Sequence, residues 1–251
     1  MTKQILGIIP ARYASTRFPG KPLADIGGKL MVQRVYEQAC KELDCVYVAT
    51  DDERIEKAVA GFGGKVVMTS VDHQSGTDRC AEALSKIKEL EQRDFYAVIN
   101  IQGDEPFISP KQIASVAGCF DDETTELATL VKPVAQSADL FNPNKPKVVL
   151  SKDKRALYFS RSPIPYLRGE DESVWHEKHQ YFNHVGLYGY RADVLFEITK
   201  LAIGELEGAE SLEQLRWLEN GYSIRVEETI EESHGIDTPE DLENLLKSGL
   251  I

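Results

Sequence analysis

Ile5-Leu6-Gly7-Ile8-Ile9-Pro10-Ala11-Arg12-Tyr13-Ala14-Ser15-Thr16-Arg17-Phe18-Pro19-Gly20-Lys21 begins apolar and then turns abruptly to small and cationic residues. A short apolar run closed by a proline reads as a strand buried on both faces, as in a parallel sheet. Ligands of open α/β sheets bind beyond the carboxyl ends of such strands. The loop that follows carries three fixed positive charges, Arg12, Arg17 and Lys21. Small residues let backbone N–H groups approach phosphate oxygens, and Arg and Lys offset charge that develops on a triphosphate during transfer. A solvated basic loop would use the same residues, and the loop by itself leaves both readings open.

Working outward, apolar runs at Cys45 to Ala49, Lys65 to Met68 and Ala97 to Ile101 repeat the strand pattern. Between them, Met31 to Cys40 puts Met31, Val32, Val35 and Ala39 on one face of a helix. Glu53 to Phe62, Thr77 to Leu90 and Pro110 to Phe120 have the same period. Strand and helix in alternation predict a mostly parallel, Rossmann-like α/β sheet with helices on both faces. After about Val131 the rhythm changes, with Pro133, Pro143, Pro146, Pro163 and Pro165 spaced through short strand-like pieces. These predict a strand-rich arm at about 131–190 within one domain, 1–251. Tyr181 to Tyr190 reads as a further strand, and Ser211 to Glu219 and Pro239 to Lys247 as helices.

The 251 residues are 42% hydrophobic and 28% charged, enough for a single α/β core, and their net charge of −12 argues against a nucleic-acid or anionic-membrane partner. Lys3, Arg12, Arg17 and Lys21 all precede the first acid, Asp25, so an anionic substrate would be met locally. Cys40, Cys45, Cys80 and Cys119 lack paired spacing, which fits four free thiols in a reducing cytoplasm. The opening run is too short for a signal peptide and is interrupted at Pro10, and no stretch is long enough to span a bilayer.

Two familiar nucleotide motifs are absent. No G-x-G-x-x-G follows the first strand, and Gly28-Lys29 is followed by Leu30, with Leu23 where a P-loop needs its first glycine. A different motif, Asn100-Ile101-Gln102-Gly103-Asp104-Glu105-Pro106, ends the fourth strand and places Asp104 at the ligand edge of the sheet. A carboxylate there can hold magnesium on nucleotide phosphates, or it can be a turn aspartate before a proline.

With these residues the chain resembles the CMP-KDO synthetases, the 3-deoxy-manno-octulosonate (KDO) cytidylyltransferases. The resemblance is carried by I-P-A-R-Y-A-S-T-R-F-P-G-K-P at Ile9 to Pro22, D-H-Q-S-G-T-D-R at Asp72 to Arg79 and N-I-Q-G-D-E-P at Asn100 to Pro106. It continues in F-N-P-N at Phe141 to Asn144, Y-F-S-R at Tyr158 to Arg161, H-V-G-L-Y-G-Y-R at His184 to Arg191, L-E-Q-L-R at Leu212 to Arg216 and G-I-D-T-P-E-D-L at Gly235 to Leu242. Phe18 stands where leucine is common, and Gly169 to His176 is an acidic insert expected as a surface loop.

The resemblance implies transfer of CMP from CTP to the anomeric hydroxyl of KDO, with release of pyrophosphate, for lipopolysaccharide biosynthesis. Pro10, Ala11 and Arg12 would then meet cytidine and its phosphates, Arg17 and Lys21 the triphosphate, and Gln74, Ser75, Gly76 and Arg79 the cytosine. A helix N-cap at Ser75 or Thr77 is compatible with that role. Gln102, Arg161, Arg168, His184, Tyr188, Glu213 and Gln214 would surround KDO; an exposed helix face for Glu213 and Gln214 and a structural role for His184 are the plainer alternatives. Asp104 and Asp237 would hold Mg2+, with a second ion on the triphosphate, and Arg12, Lys21, Asp104 and Asp237 would be catalytic. A homodimer built through the arm is also implied. A sialic-acid cytidylyltransferase would carry A-R-x-G-S-K and Lys-Asn where Thr16-Arg17 and Lys21-Pro22 stand here. A nucleotide-binding module without catalysis would not need both aspartates and Lys21, which are all present.

Overall fold

The computed structural model describes residues 3–14, 18–232 and 235–247. They form two compact units, Met1–Ala117 with Glu231–Ile251, and Gly118–Ile230. The arm expected at about 131–190 falls within the second.

In the first unit, β1 (Ile5–Ala11) is almost wholly buried and pairs in parallel with β2 (Val46–Thr50) and β4 (Ala97–Asn100), while β3 (Val66–Met68) pairs in parallel with β2. α1 (Met31–Ala39), α2 (Glu53–Gly61), α3 (Gly76–Glu91) and α4 (Pro110–Gly118) alternate with these strands. The buried positions of α1 are the expected Met31, Val32, Val35 and Ala39, so its 3.6-residue apolar stripe is what seats it. α2 is capped by the Asp52 carboxylate. α3 begins with a capping box in which Ser75 and Asp78 satisfy each other's backbone N–H groups.

The second unit contains β5 (Leu127–Pro133), α5 (Ser137–Leu140), β6 (Lys147–Leu150), β7 (Ala156–Ser160), α6 (Trp175–Lys178), β8 (Phe182–Arg191), α7 (Ala192–Ile198), α8 (Glu205–Glu210), α9 (Gln214–Glu219) and β9 (Ile224–Glu228). β5 runs antiparallel to β8 and parallel to β9, and β6 pairs antiparallel with β7 and β8. The chain returns to the first unit in α10 (Pro239–Lys247).

Two local expectations are corrected. The acidic insert is not surface loop throughout: Trp175 is buried with Val134, Leu140 and Tyr181, because an indole that size finds an apolar pocket with Tyr181 stacked 6.3 Å away. The helix expected from Ser211 begins only at Gln214, because Ser211 adopts a left-handed φ of 52° that ends α8. Among the described residues no helix is long and apolar enough to cross a membrane.

Candidate active site

The carboxyl ends of β1 and β4 lie side by side, with Ile8 in register with Asn100 and the Ile101 N–H donating to the Ile8 carbonyl at 2.9 Å. The polar residues that follow each strand therefore emerge at one edge of the sheet. Pro10, Ala11, Arg12, Ala14, Lys21 and Pro22 from the first loop, and Gln102, Gly103 and Asp104 from the second, line a cavity of about 470 Å3 together with Asp237. Gly103 is required there: a Cβ would stand 2.8 Å from the Pro10 carbonyl oxygen, so only glycine lets the two strand ends touch. Gly20, at φ 72°, turns the first loop into the short helical turn that carries Lys21.

Asp237 reaches this edge from far along the chain because the residue before it is anchored twice. The Ile236 N–H donates to the Asp104 carbonyl at 2.9 Å, and its side chain is buried with Ile26, Met31 and Leu245. Thr238 caps α10, its Oγ1 accepting from the Asp241 N–H at 3.2 Å. The Asp241 carboxylate takes the N–H groups of Asp237 at 3.0 Å and Thr238 at 2.9 Å. The Asp237 carboxylate faces Lys21.

At the centre, Lys21 Nζ donates to Asp104 Oδ2 at 2.8 Å and to Asp237 Oδ1 at 3.3 Å. The ammonium side chain is 14% exposed, against 32% and 49% for the two carboxylates. Two acids converging on one cation suit magnesium, which takes one or two carboxylates and fills its octahedron with phosphate oxygens and water. Among the described residues no His, Cys or further acid completes a cluster of three, so such an ion would draw its other ligands from substrate.

The Asp72 to Gly76 loop lies against the same edge: a Cβ on Gly76 would stand 3.6 Å from Asn100 Nδ2 and 3.7 Å from Pro10 Cγ. Gln74 and Gly76 are exposed, whereas Arg79 is fully buried, donating to Asp51 Oδ2 at 2.7 Å and Thr69 Oγ1 at 2.5 Å. Arg79 thus braces the loop from beneath and presents no open surface to a base. Glu82 braces it too, accepting from Lys86, the Ser70 N–H and His73. Burial would raise its acid, but these donors prevail and hold it at about 2. Arg17 lies outside the described residues.

The second unit holds another polar cluster. On a straight strand His184 and Tyr188 would be about 13 Å apart. The register of β5 with β8 shifts between Thr129 and Leu130, and this irregularity draws the two rings to 5.2 Å between centroids. Tyr188 also meets Trp217 edge-on at 5.2 Å. The Tyr188 hydroxyl, Gln214 Nε2 and Trp217 Nε1 are buried with no hydrogen-bond partner among the described residues, an arrangement that a polyhydroxylated ligand would relieve. Burial, Tyr190 and Glu213 push the Tyr188 phenol well above its ordinary value, so it stays protonated and able to donate. Arg161 Nε, Nη1 and Nη2 donate to the carbonyls of Glu210 at 2.6 Å, Pro143 at 3.0 Å and Ser211 at 3.1 Å. Arg168 is exposed.

A cytidylyltransferase family profile spans residues 6–230. The 3-deoxy-manno-octulosonate cytidylyltransferase of Parabacteroides distasonis is 61% identical over 247 residues, 97% of each chain. That of Bacteroides thetaiotaomicron is 62% identical over 244 residues, 96% of each chain. The chain belongs to the 3-deoxy-manno-octulosonate cytidylyltransferases. The fold agrees: a CMP:2-keto-3-deoxy-manno-octonic acid synthetase solved in complex with CTP superposes with a TM-score of 0.88 at 44% identity, over 98% of each chain.

In this member of the cytidylyltransferases, one cavity gathers Pro10, Ala11, Arg12, Lys21, Gln102, Asp104 and Asp237. Gln102, expected around KDO, thus lines this cavity beside Lys21, Asp104 and Asp237. His184, Tyr188, Arg161, Arg168, Glu213 and Gln214 all lie in the second unit. The motifs did not single out Gly103 or Pro22 as cavity lining, though both stand inside them. Asp51, Thr129 and Trp217 carry no sequence signal, because their partners are remote along the chain.

His184 Nε2 lies 3.0 Å from Thr129 Oγ1, whose single proton has two carbonyl acceptors, Leu187 at 2.8 Å and Val185 at 3.2 Å. The imidazole therefore donates from Nε2 and keeps Nδ1 as an acceptor. Though part of its surface is open, packing strips the ring of hydration and lowers its pKa to about 3. The unfolded chain takes up this proton near pH 6.5 and the folded chain only near 3, so stability falls as pH drops through that window. In His184→Gln the stability deficit relative to wild type is expected to narrow between pH 6.5 and 4, read as urea midpoints; a deficit independent of pH would contradict the neutral imidazole.

Proposed function

We infer that this chain transfers the CMP group of CTP to the anomeric hydroxyl of KDO and releases pyrophosphate. The observation that carries the inference is the convergence of Lys21, Asp104 and Asp237 at the strand-end cavity of a chain in this family. The hydroxyl oxygen bonds to the α-phosphorus as the bond to the α–β bridging oxygen breaks, and the hydroxyl proton passes to solvent. Arg12 and Lys21 stabilise charge building on the phosphates, and the close approach of β1 and β4 at Gly103 shapes the floor on which the nucleotide rests. Magnesium held by Asp104 and Asp237 would lower the pKa of the attacking hydroxyl and offset the charge of the leaving group. Arg161 and Arg168 meet the sugar carboxylate, while the neutral His184, the protonated Tyr188 and the unpaired Gln214 amide suit its hydroxyls.

Pyrophosphate release with CTP or UTP against KDO or sialic acid tests the assignment. Release with CTP and KDO above the other three pairs is expected, and none with that pair would reject it. In Arg161→Ala the KM for KDO is expected to rise about 10- to 100-fold with the KM for CTP within about twofold, in line with loss of a charge-assisted pair. The melting temperature should also fall, because three carbonyls lose their donor. A parallel rise in the KM for CTP would move Arg161 out of the sugar group.

We further infer a homodimer, supported by the family resemblance and by Leu157 and Tyr166, large apolar side chains left exposed on the second unit. Light scattering should give twice the chain mass. Four cysteines without a disulfide suit a cytoplasmic enzyme. Its product, an activated acidic sugar, fits the lipopolysaccharide pathway that the resemblance implies.

A further inference from the structure

Glu210 is not among the residues that any motif marks, yet it ties the end of β7 to the end of α8 in the second unit. Its Oε1 accepts from Ser160 Oγ at 2.6 Å and its Oε2 from the Arg161 N–H at 2.9 Å, while its carbonyl accepts from Arg161 Nε at 2.6 Å. The next residue, Ser211, holds a left-handed φ of 52°, a conformation unfavourable for a side-chain-bearing residue, and its carbonyl accepts from Arg161 Nη2. Two residues later come Glu213 and Gln214. Glu210 is thus bonded both to the backbone of Arg161 and, through its own carbonyl, to that residue's guanidinium. On the other flank Lys147, fully buried, donates to the Asn142 carbonyl at 2.9 Å, next to the Pro143 carbonyl that takes Arg161 Nη1.

We propose that Glu210 is a positioning residue for the sugar acid: its carboxylate clasps the end of β7 to the Ser211 turn, fixing Arg161 relative to Glu213 and Gln214. This rests on the assignment of KDO as acceptor. The clasp acts through hydrogen bonds, and the charge of Glu210 opposes the function, since a carboxylate beside Arg161 and Lys147 weakens the field available to an anionic substrate. Geometry and charge therefore predict different outcomes for two substitutions.

In Glu210→Ala the clasp is lost, and the KM for KDO is expected to rise at least about tenfold, while the KM for CTP and the turnover at saturating KDO stay within about threefold. In Glu210→Gln the amide oxygen can still accept from the Arg161 N–H and the amide nitrogen can donate to Ser160 Oγ, so the KM for KDO should stay within about threefold of wild type. Ser160→Ala, which removes one bond only, is the milder variant should Glu210→Ala fail to fold, and should raise the KM for KDO alone. An unchanged KM for KDO in a folded Glu210→Ala or Ser160→Ala, or a Glu210→Gln as impaired as the alanine, would overturn the proposal. Wild type runs in the same assay, and absence of pyrophosphate release there would instead remove the KDO assignment and this inference with it.

Discussion

Lys21→Ala is expected to slow turnover by about 10²- to 10³-fold, the effect of removing one preorganised group that stabilises transition-state charge. Lys21 lines the cavity together with Arg12, its ammonium 2.8 Å from Asp104 and 3.3 Å from Asp237. Removing it takes the ammonium from between two carboxylates. Both are partly open to water, so the repulsion is screened and the effect on folding is small. A shift in melting temperature of no more than about 4 °C is expected, which corresponds to about 1 kcal/mol for a chain of this size. Steady-state pyrophosphate release and a thermal melt of one protein preparation read both quantities. A variant that turns over like wild type would return the loop to a solvated basic surface.

Asp237→Asn separates a metal carboxylate from a structural one. Thr238 and Asp241 form the α10 cap between them, and Ile236 anchors the segment by its backbone and its burial. The substitution keeps size and hydrogen-bonding capacity, so the melting temperature without ligand should move by less than about 2 °C. Turnover should fall about 100-fold or more at ordinary magnesium, and raising magnesium should recover part of it if the lost carboxylate held the ion. Full activity at ordinary magnesium would remove Asp237 from the site.

The elements of the first unit were legible because each carries one dominant pattern. Ile5 to Ile9 has no polar residue to disturb a doubly buried strand, and the α1 stripe allows one orientation only. The cavity at the strand ends followed from strand order, since Arg12 and Asp104 both come directly after predicted strands. What the sequence could not show were arrangements made by pairing over long separations. Thr129 meets His184 only because β5 and β8 pair with a shift in register. Arg79 matches a cytosine-loop motif, but its guanidinium is taken up by Asp51 and Thr69, 28 and 10 residues away. Trp175 sits in an acidic stretch that reads as solvated, and the apolar pocket that buries it is assembled from Val134, Leu140 and Tyr181. The helix expected at Ser211 was misplaced for the same kind of reason: Arg161, 50 residues earlier, holds the carbonyl that fixes the turn.

The central claim is bond formation at the α-phosphorus of CTP. CTP labelled with 32P at the α position, incubated with the chain, KDO and magnesium, follows that atom directly. The label should pass into a CMP-sugar in step with release of unlabelled pyrophosphate. Label that stays in CTP, or that appears as free CMP without a sugar nucleotide, would contradict the account.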